Sequence, residues 1–95
     1  MSGASPSMPF IASVLDTVEP GGVSVAQGCA ILTTAIAPEI GIGTPPGAAR
    51  HVSRLFHRLL TALQTRAETR SAVETRLKQI FALAAARDFD ALAAM

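Results

Sequence analysis

Residues 48–63 read AARHVSRLFHRLLTAL, and residues 64–71 continue as QTRAETRS. The apolar residues Val52, Phe56, Leu59 and Leu63 recur at steps of four, three and four, which is the spacing of one face of an α-helix. The same steps return between Val73 and Ala84. The polar stretch that separates the two patterns therefore decides how the second half of the chain folds.

Two architectures fit this pattern. The gap of ten residues between Leu63 and Val73 preserves the heptad phase, so one long helix from about 48 to 86 is compatible with it. The alternative is a helical hairpin with a break near 69–71, because Ser71 followed by Glu74 is a capping-box signature. The hairpin is favoured, since a thin core requires its helices to fold onto one another.

Glycine and proline punctuate only the first half, because every one of them lies at or before position 47. Residues 10–18 predict a short helix, and Ser24 with Gln27 predicts the N-cap of a second helix that ends at Pro38. We interpret residues 1–9 as an N-terminal tail. Residues 38–47 are a Gly/Pro loop between acidic N-terminal and basic C-terminal helices, and Asp88 caps a last short helix.

No segment sustains the alternation of apolar and polar residues that marks a strand. The sequence therefore predicts an all-α fold, a small bundle of four to five helices with a long C-terminal helical hairpin. We expect residues 1–95 to form a single helical domain, because a chain of this length suits one domain.

The predicted core is thin. Although 49% of the residues are hydrophobic, 18 are alanine and only 25 are Leu, Ile, Val or Phe. Alanine buries little area, and burial contributes only about 25 cal/mol per Å². We therefore expect the chain to complete its burial against another protein or a second copy, with Phe89 and Leu92 near the apolar C-terminus among the contact residues.

Basic residues are confined to the second half, where all eight of them lie together with four acids. Arg50, Arg54 and Arg58 are spaced by four, so they share a helix face, and His57 flanks them. No acidic residue lies between Glu39 and Glu68. These four side chains are the predicted partner-binding residues of a small helical interaction module, such as an adaptor, an inhibitor or regulator, or a minor subunit of an assembly.

Two alternatives remain. The Arg50, Arg54 and Arg58 face also suits a nucleic-acid-binding regulator, although the chain has one lysine and no Tyr or Trp for base stacking. The second alternative is a membrane-associated amphipathic protein. It is less favoured because the apolar side of that helix is needed for the core.

The sequence argues against catalytic and metal-binding roles. Cys29 is the only cysteine, and His51 and His57 are six residues apart, so they do not share a helix face as a pair of metal ligands would. We predict no metal, no cofactor, no catalytic residues and no small-molecule substrate, and hence no enzyme. Without a signal peptide at the start, we expect the protein in the cytoplasm or within a particle assembled there.

Residues 73–95, VETRLKQIFALAAARDFDALAAM, resemble the opening helices of NTF2-like (SnoaL-like) domains. The resemblance covers about the last quarter of the chain. The curved sheet that carries the pocket of that family would have to follow Met95. Within these residues the resemblance therefore implies no activity.

Overall fold

The computed structural model describes residues 8–18, 24–40 and 43–95, which hold five α-helices, one 3-10 turn and no strand. In chain order the elements are α1 (Met8–Val18), α2 (Val25–Ile36), the 3-10 turn Ala37–Glu39, α3 (Ala48–Gln64), α4 (Arg70–Ala85) and α5 (Phe89–Ala94). The predicted all-α bundle is confirmed, with five helices. Helix α1 begins inside the predicted tail, and residues 1–7 lie outside the described ranges.

The break between α3 and α4 is confirmed, and backbone hydrogen bonds explain how α3 ends. The N–H of Ala67 donates to the carbonyl of Ala62 at 2.8 Å, and the N–H of Arg66 donates to that of Leu63 at 3.1 Å. This pair of bonds is a Schellman motif, which requires a left-handed residue just after the helix. Arg66 supplies it with a φ of 62°, so the chain reverses and the continuous helix does not form.

The start of α4 differs from the prediction by two residues. Thr69, in an extended conformation with ψ 156°, is the N-cap, and its Oγ1 accepts a hydrogen bond from the N–H of Ala72 at 3.1 Å. Ser71, the predicted cap, already lies inside α4. A capping side chain must precede the first helical residue, and Thr69 occupies that position because the Schellman turn ends earlier than the Ser71 signature suggested.

The turn between α4 and α5 also begins with a Schellman motif but contains fewer residues than the turn between α3 and α4. Arg87 is left-handed with a φ of 58°, and the N–H of Asp88 donates to the carbonyl of Leu83 at 2.9 Å. Oδ1 of the same Asp88 accepts from the N–H of Ala91 at 3.2 Å and so caps α5, as predicted. The predicted cap Ser24 is likewise confirmed, because its Oγ accepts from the N–H of Gln27 at 3.1 Å.

One hydrophobic cluster draws residues from all five helices. Its most fully buried large side chains are Phe56, Ile11, Leu15, Leu32, Ile36, Leu60, Leu77, Ile80 and Leu92. The rings of Phe56 and Phe81 stack with their centroids 5.8 Å apart. No polar or charged residue is buried as a whole within the described ranges, although the hydroxyl oxygens of Thr33 and Thr44 are shielded from solvent. The core is therefore held by apolar packing alone.

Helix α2 approaches its neighbours closely at Gly28. A Cβ added to Gly28 would lie 2.8 Å from Cγ2 of Val18 and 2.9 Å from Cδ1 of Leu60. These distances are too short for real carbon contacts, so the glycine is what allows α2 to sit between α1 and α3.

The chain itself covers much of its apolar C-terminus, and the expectation of a partner there stays a prediction. Leu92 is 2% exposed, and Phe89 and Met95 pack partly buried against the core. Helix α5 folds back onto α3 and α4, so the chain covers these side chains itself. Among the described large hydrophobic residues only Ile31, at 43%, is exposed.

Candidate protein-binding surface

The basic face of α3 consists of Arg50, Arg54, His57 and Arg58. All four side chains are exposed. The opposite side of α3 is buried in the core, with Phe56 and Leu60 at 0% exposure. This division into a solvent-exposed side and a buried side is typical of a surface helix. It places the four predicted contact residues together on one accessible surface.

The arginines of this face are not neutralised by their own chain. Arg50, Arg54 and Arg58 make no ion pair and no hydrogen bond with any part of the chain that the structure describes. Of the acidic residues in the first half, Asp16 pairs instead with Arg70 of α4. The positive charge of the basic face is therefore available to an acidic partner.

A groove of about 500 Å³ runs between α3 and α4, beside the basic face. Its apolar members are buried or half-buried except for Ala94, which is exposed like the polar members. The lining residues are Leu55, Arg58, Leu59, Ala62, Glu68, Ala72, Val73, Arg76, Gln79, Ala94 and Met95. The groove thus has an apolar floor and a polar rim with two arginines and one glutamate, and Arg58 belongs both to the rim and to the basic face.

Phe89 and Leu92 lie elsewhere. They line a smaller cleft of about 270 Å³, together with Pro45, Pro46 and His51 among others. Phe89 is half-buried, and the Arg87 guanidinium lies 5.0 Å from the centroid of its ring. Leu92 is only 2% exposed, so it adds little surface to the cleft, and its role as a contact residue stays a prediction.

The members of the groove that come from α4 were not among the predicted contact residues. Arg76 and Val73 face α3 only because the chain reverses at residues 65–69. In the sequence, Arg76 stands between Glu74 and Lys78 and looks like part of an ordinary mixed surface. The heptad spacing across the polar stretch fitted one continuous helix from about 48 to 86, so it gave no sign of a groove between two helices.

The residues with reactive or metal-binding side chains are scattered or occupied. Cys29 is buried with its Sγ 3.4 Å from the carbonyl oxygen of Ser53. Nε2 of His51 lies 3.0 Å from the carbonyl oxygen of Leu92, whereas His57 is exposed. Within the described ranges no three His, Cys, Asp or Glu residues are grouped so that they could hold a metal ion. What the candidate surface offers a partner is the α3/α4 groove and the positive charge of the basic face.

Comparison with known proteins adds no family. No family model matches the chain, and no curated protein and no solved structure matches it. The resemblance of residues 73–95 to NTF2-like domains is thus unsupported. Over the described residues, no helix has both the length and the hydropathy needed to cross a membrane.

Proposed function

We propose that this protein is a non-enzymatic helical interaction module that binds an acidic, amphipathic helical segment of a partner protein. The segment lies in the α3/α4 groove, with its acidic residues against Arg58 and Arg76 and the rest of the basic face. The observation that carries this proposal is the position of Arg58, which joins an apolar-floored groove to a row of un-neutralised arginines.

The groove floor favours a protein over a nucleic acid. Leu59, Ala62 and Met95, which are half-buried along the groove, offer apolar contacts that a phosphate backbone does not use, whereas an amphipathic helix inserts residues at positions i, i+3 or i+4 and i+7 into such a groove. Arginine also forms forked contacts with carboxylates, which gives orientation as well as attraction. Since exposed ion pairs contribute only about 0.2–1 kcal/mol each, the floor supplies most of the affinity and the arginines supply selectivity.

A membrane role is less well supported. The apolar side of α3 that would enter a bilayer is buried in the core, with Val52 at 1% and Phe56 at 0% exposure. Using that side for lipid would require the bundle to open. The basic face alone would give only an electrostatic attraction to anionic lipid.

Selection from a random helical-peptide display library tests the proposal. On the native chain we expect enrichment of peptides that combine Leu, Ile or Phe at helical spacing with flanking Asp or Glu. On the double variant Arg58→Glu/Arg76→Glu we expect the flanking preference to change to Lys or Arg. The control is Arg66→Glu/Lys78→Glu, which makes the same change in net charge at exposed positions outside the groove.

Two results would overturn the proposal. One is a selection that enriches no amphipathic sequence, or the same sequences for both double variants. The other is a mobility shift of random duplex DNA at low salt, with no peptide enrichment, that is lost in an Arg50→Glu/Arg54→Glu/Arg58→Glu variant. The second result would assign the basic face to nucleic acid.

A further inference from the structure

The charge along the rim of the α3/α4 groove changes sign at the end formed by residues 65–69, which we call the turn end. Glu68 lines the groove there, and its N–H donates to the carbonyl of Ala62 at 3.2 Å. Arg58 precedes Ala62 by one helical turn, and Arg76 follows Ala72 by one turn on α4, which is about 6 Å at 1.5 Å per residue. The groove therefore presents a carboxylate at the turn end and two guanidinium groups further along.

The carboxylate of Glu68 is not neutralised by its own chain. The residue is exposed, and its side chain makes no ion pair and no hydrogen bond with any residue in the described ranges. Arg66 and Arg70 lie two positions away on either side, and Arg70 pairs with Asp16 instead. The negative charge of Glu68 is therefore available to a ligand in the groove.

Away from the turn end the charge stays positive. Arg54 lies one helical turn further from Glu68 than Arg58 does, and Arg50 lies one turn further still. Both are exposed. The charges that α3 presents beside the groove are thus a row of arginines followed by one carboxylate, so the two directions along the groove are not equivalent for a charged ligand.

We infer that Glu68 determines which end of the bound helical segment meets the turn end of the groove. This inference rests on the proposed function, because it concerns the same groove and the same segment. A segment with acidic residues against Arg58 and Arg76 could lie in either of two opposite directions. Glu68 attracts a lysine or arginine at the turn end and repels an acidic residue there. The segment therefore carries a basic residue one or two helical turns from its acidic residues, and this basic residue lies beside Glu68.

The role of Glu68 is in specificity more than in affinity. An exposed ion pair changes a binding constant only about two- to fivefold, so most of the affinity comes from the apolar floor. A specific surface combines attraction for the correct arrangement with repulsion of the wrong one. Glu68 does both, because the acidic residues that the arginines attract are the ones that it repels.

Selection of the same helical-peptide library on Glu68→Lys tests this inference. On the native chain we expect the enriched peptides to carry Lys or Arg one or two turns to one side of their acidic residues. On Glu68→Lys we expect Asp or Glu at that position, and on Glu68→Gln no preference there. The control is Asp90→Lys, which makes the same change in net charge at an exposed position outside the groove and should keep the native pattern. A selected peptide whose basic residue is replaced by glutamate should bind the native chain about two- to fivefold more weakly and should bind Glu68→Lys more tightly.

A nitroxide label on a selected peptide measures the orientation directly. With the label at the basic end of the peptide, the amide NMR signals of Ala67 and Glu68 should broaden more than those of Leu55 and Gln79. With the label at the other end, the order should reverse. Equal broadening from both ends overturns the inference, and so does a basic-residue preference that Glu68→Lys leaves unchanged. Enriched acidic amphipathic peptides without a basic residue overturn this inference alone, whereas a selection that enriches no amphipathic sequence overturns the proposed function as well.

Discussion

Nε2 of His51 in α3 lies 3.0 Å from the carbonyl oxygen of Leu92 in α5. The carbonyl of Leu92 accepts a hydrogen bond from the N–H of Met95 at 3.1 Å, and the His51 ring, from a helix far away in the sequence, is its second partner. Because a carbonyl oxygen only accepts, Nε2 carries the proton and donates. The bond ties the short C-terminal helix to the start of α3.

Removal of this bond should loosen α5. We expect His51→Ala to lower the free energy of unfolding by about 1 kcal/mol, the typical net value of one hydrogen bond, and to speed amide hydrogen exchange in α5. Chemical denaturation and hydrogen exchange measure the two effects. His57→Ala is the matched control, because His57 is exposed on the same helix; equal losses in both variants would contradict the assignment.

Replacing each of the two left-handed arginines with glycine should change the free energy of unfolding in opposite directions. Left-handed backbone costs an L-residue roughly 1–2 kcal/mol and costs glycine little. Arg66 is exposed, and its replacement in Arg66→Gly should raise the free energy of unfolding by about 0.5 kcal/mol after the higher chain entropy of glycine is counted.

Arg87→Gly removes the same backbone strain, but it also removes side-chain contacts that contribute more to stability. Nη1 of Arg87 donates to the carbonyl of Glu39 at 3.3 Å, and its guanidinium lies over the ring of Phe89. We expect a net loss of stability, measured by thermal denaturation of both variants side by side. A stabilised Arg87→Gly chain would show that these contacts contribute nothing in solution.

Gly28→Ala should destabilise the bundle although alanine is the better helix former. Alanine gains about 1 kcal/mol of helix propensity, but its Cβ would press on Val18 and Leu60 in the packed interior, and overpacking costs about 1–3 kcal/mol. Gln27→Ala, at the exposed neighbouring position, meets no clash, and its effect on stability should be small because glutamine is already a good helix former. A melting temperature of Gly28→Ala below that of the native chain would show that the packing cost exceeds the propensity gain.

Affinity for peptides selected on the native chain should fall with salt without vanishing. Salt screens exposed charges over about 10 Å at 0.1 M and about 3 Å at 1 M, whereas burial on the groove floor persists. We expect titrations of the native chain to show a decrease with salt. Arg58→Glu/Arg76→Glu should bind the same acidic peptides more weakly at low salt and approach the native value at high salt. A native affinity that does not depend on salt would remove the arginines from recognition.

The helices and the reversal of the chain after α3 could be predicted from residue spacing and capping residues. The residues that end α3 and α4, and the position of α5, could not. Ser24 and Asp88 are polar residues with helix N-cap geometry, and they cap as expected. The turns after α3 and α4 use Arg66 and Arg87 where glycine is usual, so the sequence carried no local sign of either helix end. The position of α5 also depends on tertiary contacts, above all the burial of Leu92 in the core and the hydrogen bond from His51 to the Leu92 carbonyl. The spacing of residues in the sequence does not reveal these contacts.

The candidate surface was predictable only in part. The spacing of Arg50, Arg54 and Arg58 predicted a shared exposed face, because side chains four residues apart on a helix point the same way. Arg76 could not be added, since its place beside Arg58 depends on how α4 packs against α3. Whether any partner uses this surface stays a prediction.

Cys29 gives the molecule a built-in reporter. The residue is 9% exposed, its Sγ lies against Ser53 across the seam between α2 and α3, and it is the only cysteine in the chain. Reaction with a thiol reagent therefore requires that seam to open. The labelling rate would follow the opening of α2 from α3 directly, without a fluorophore or any change to the sequence.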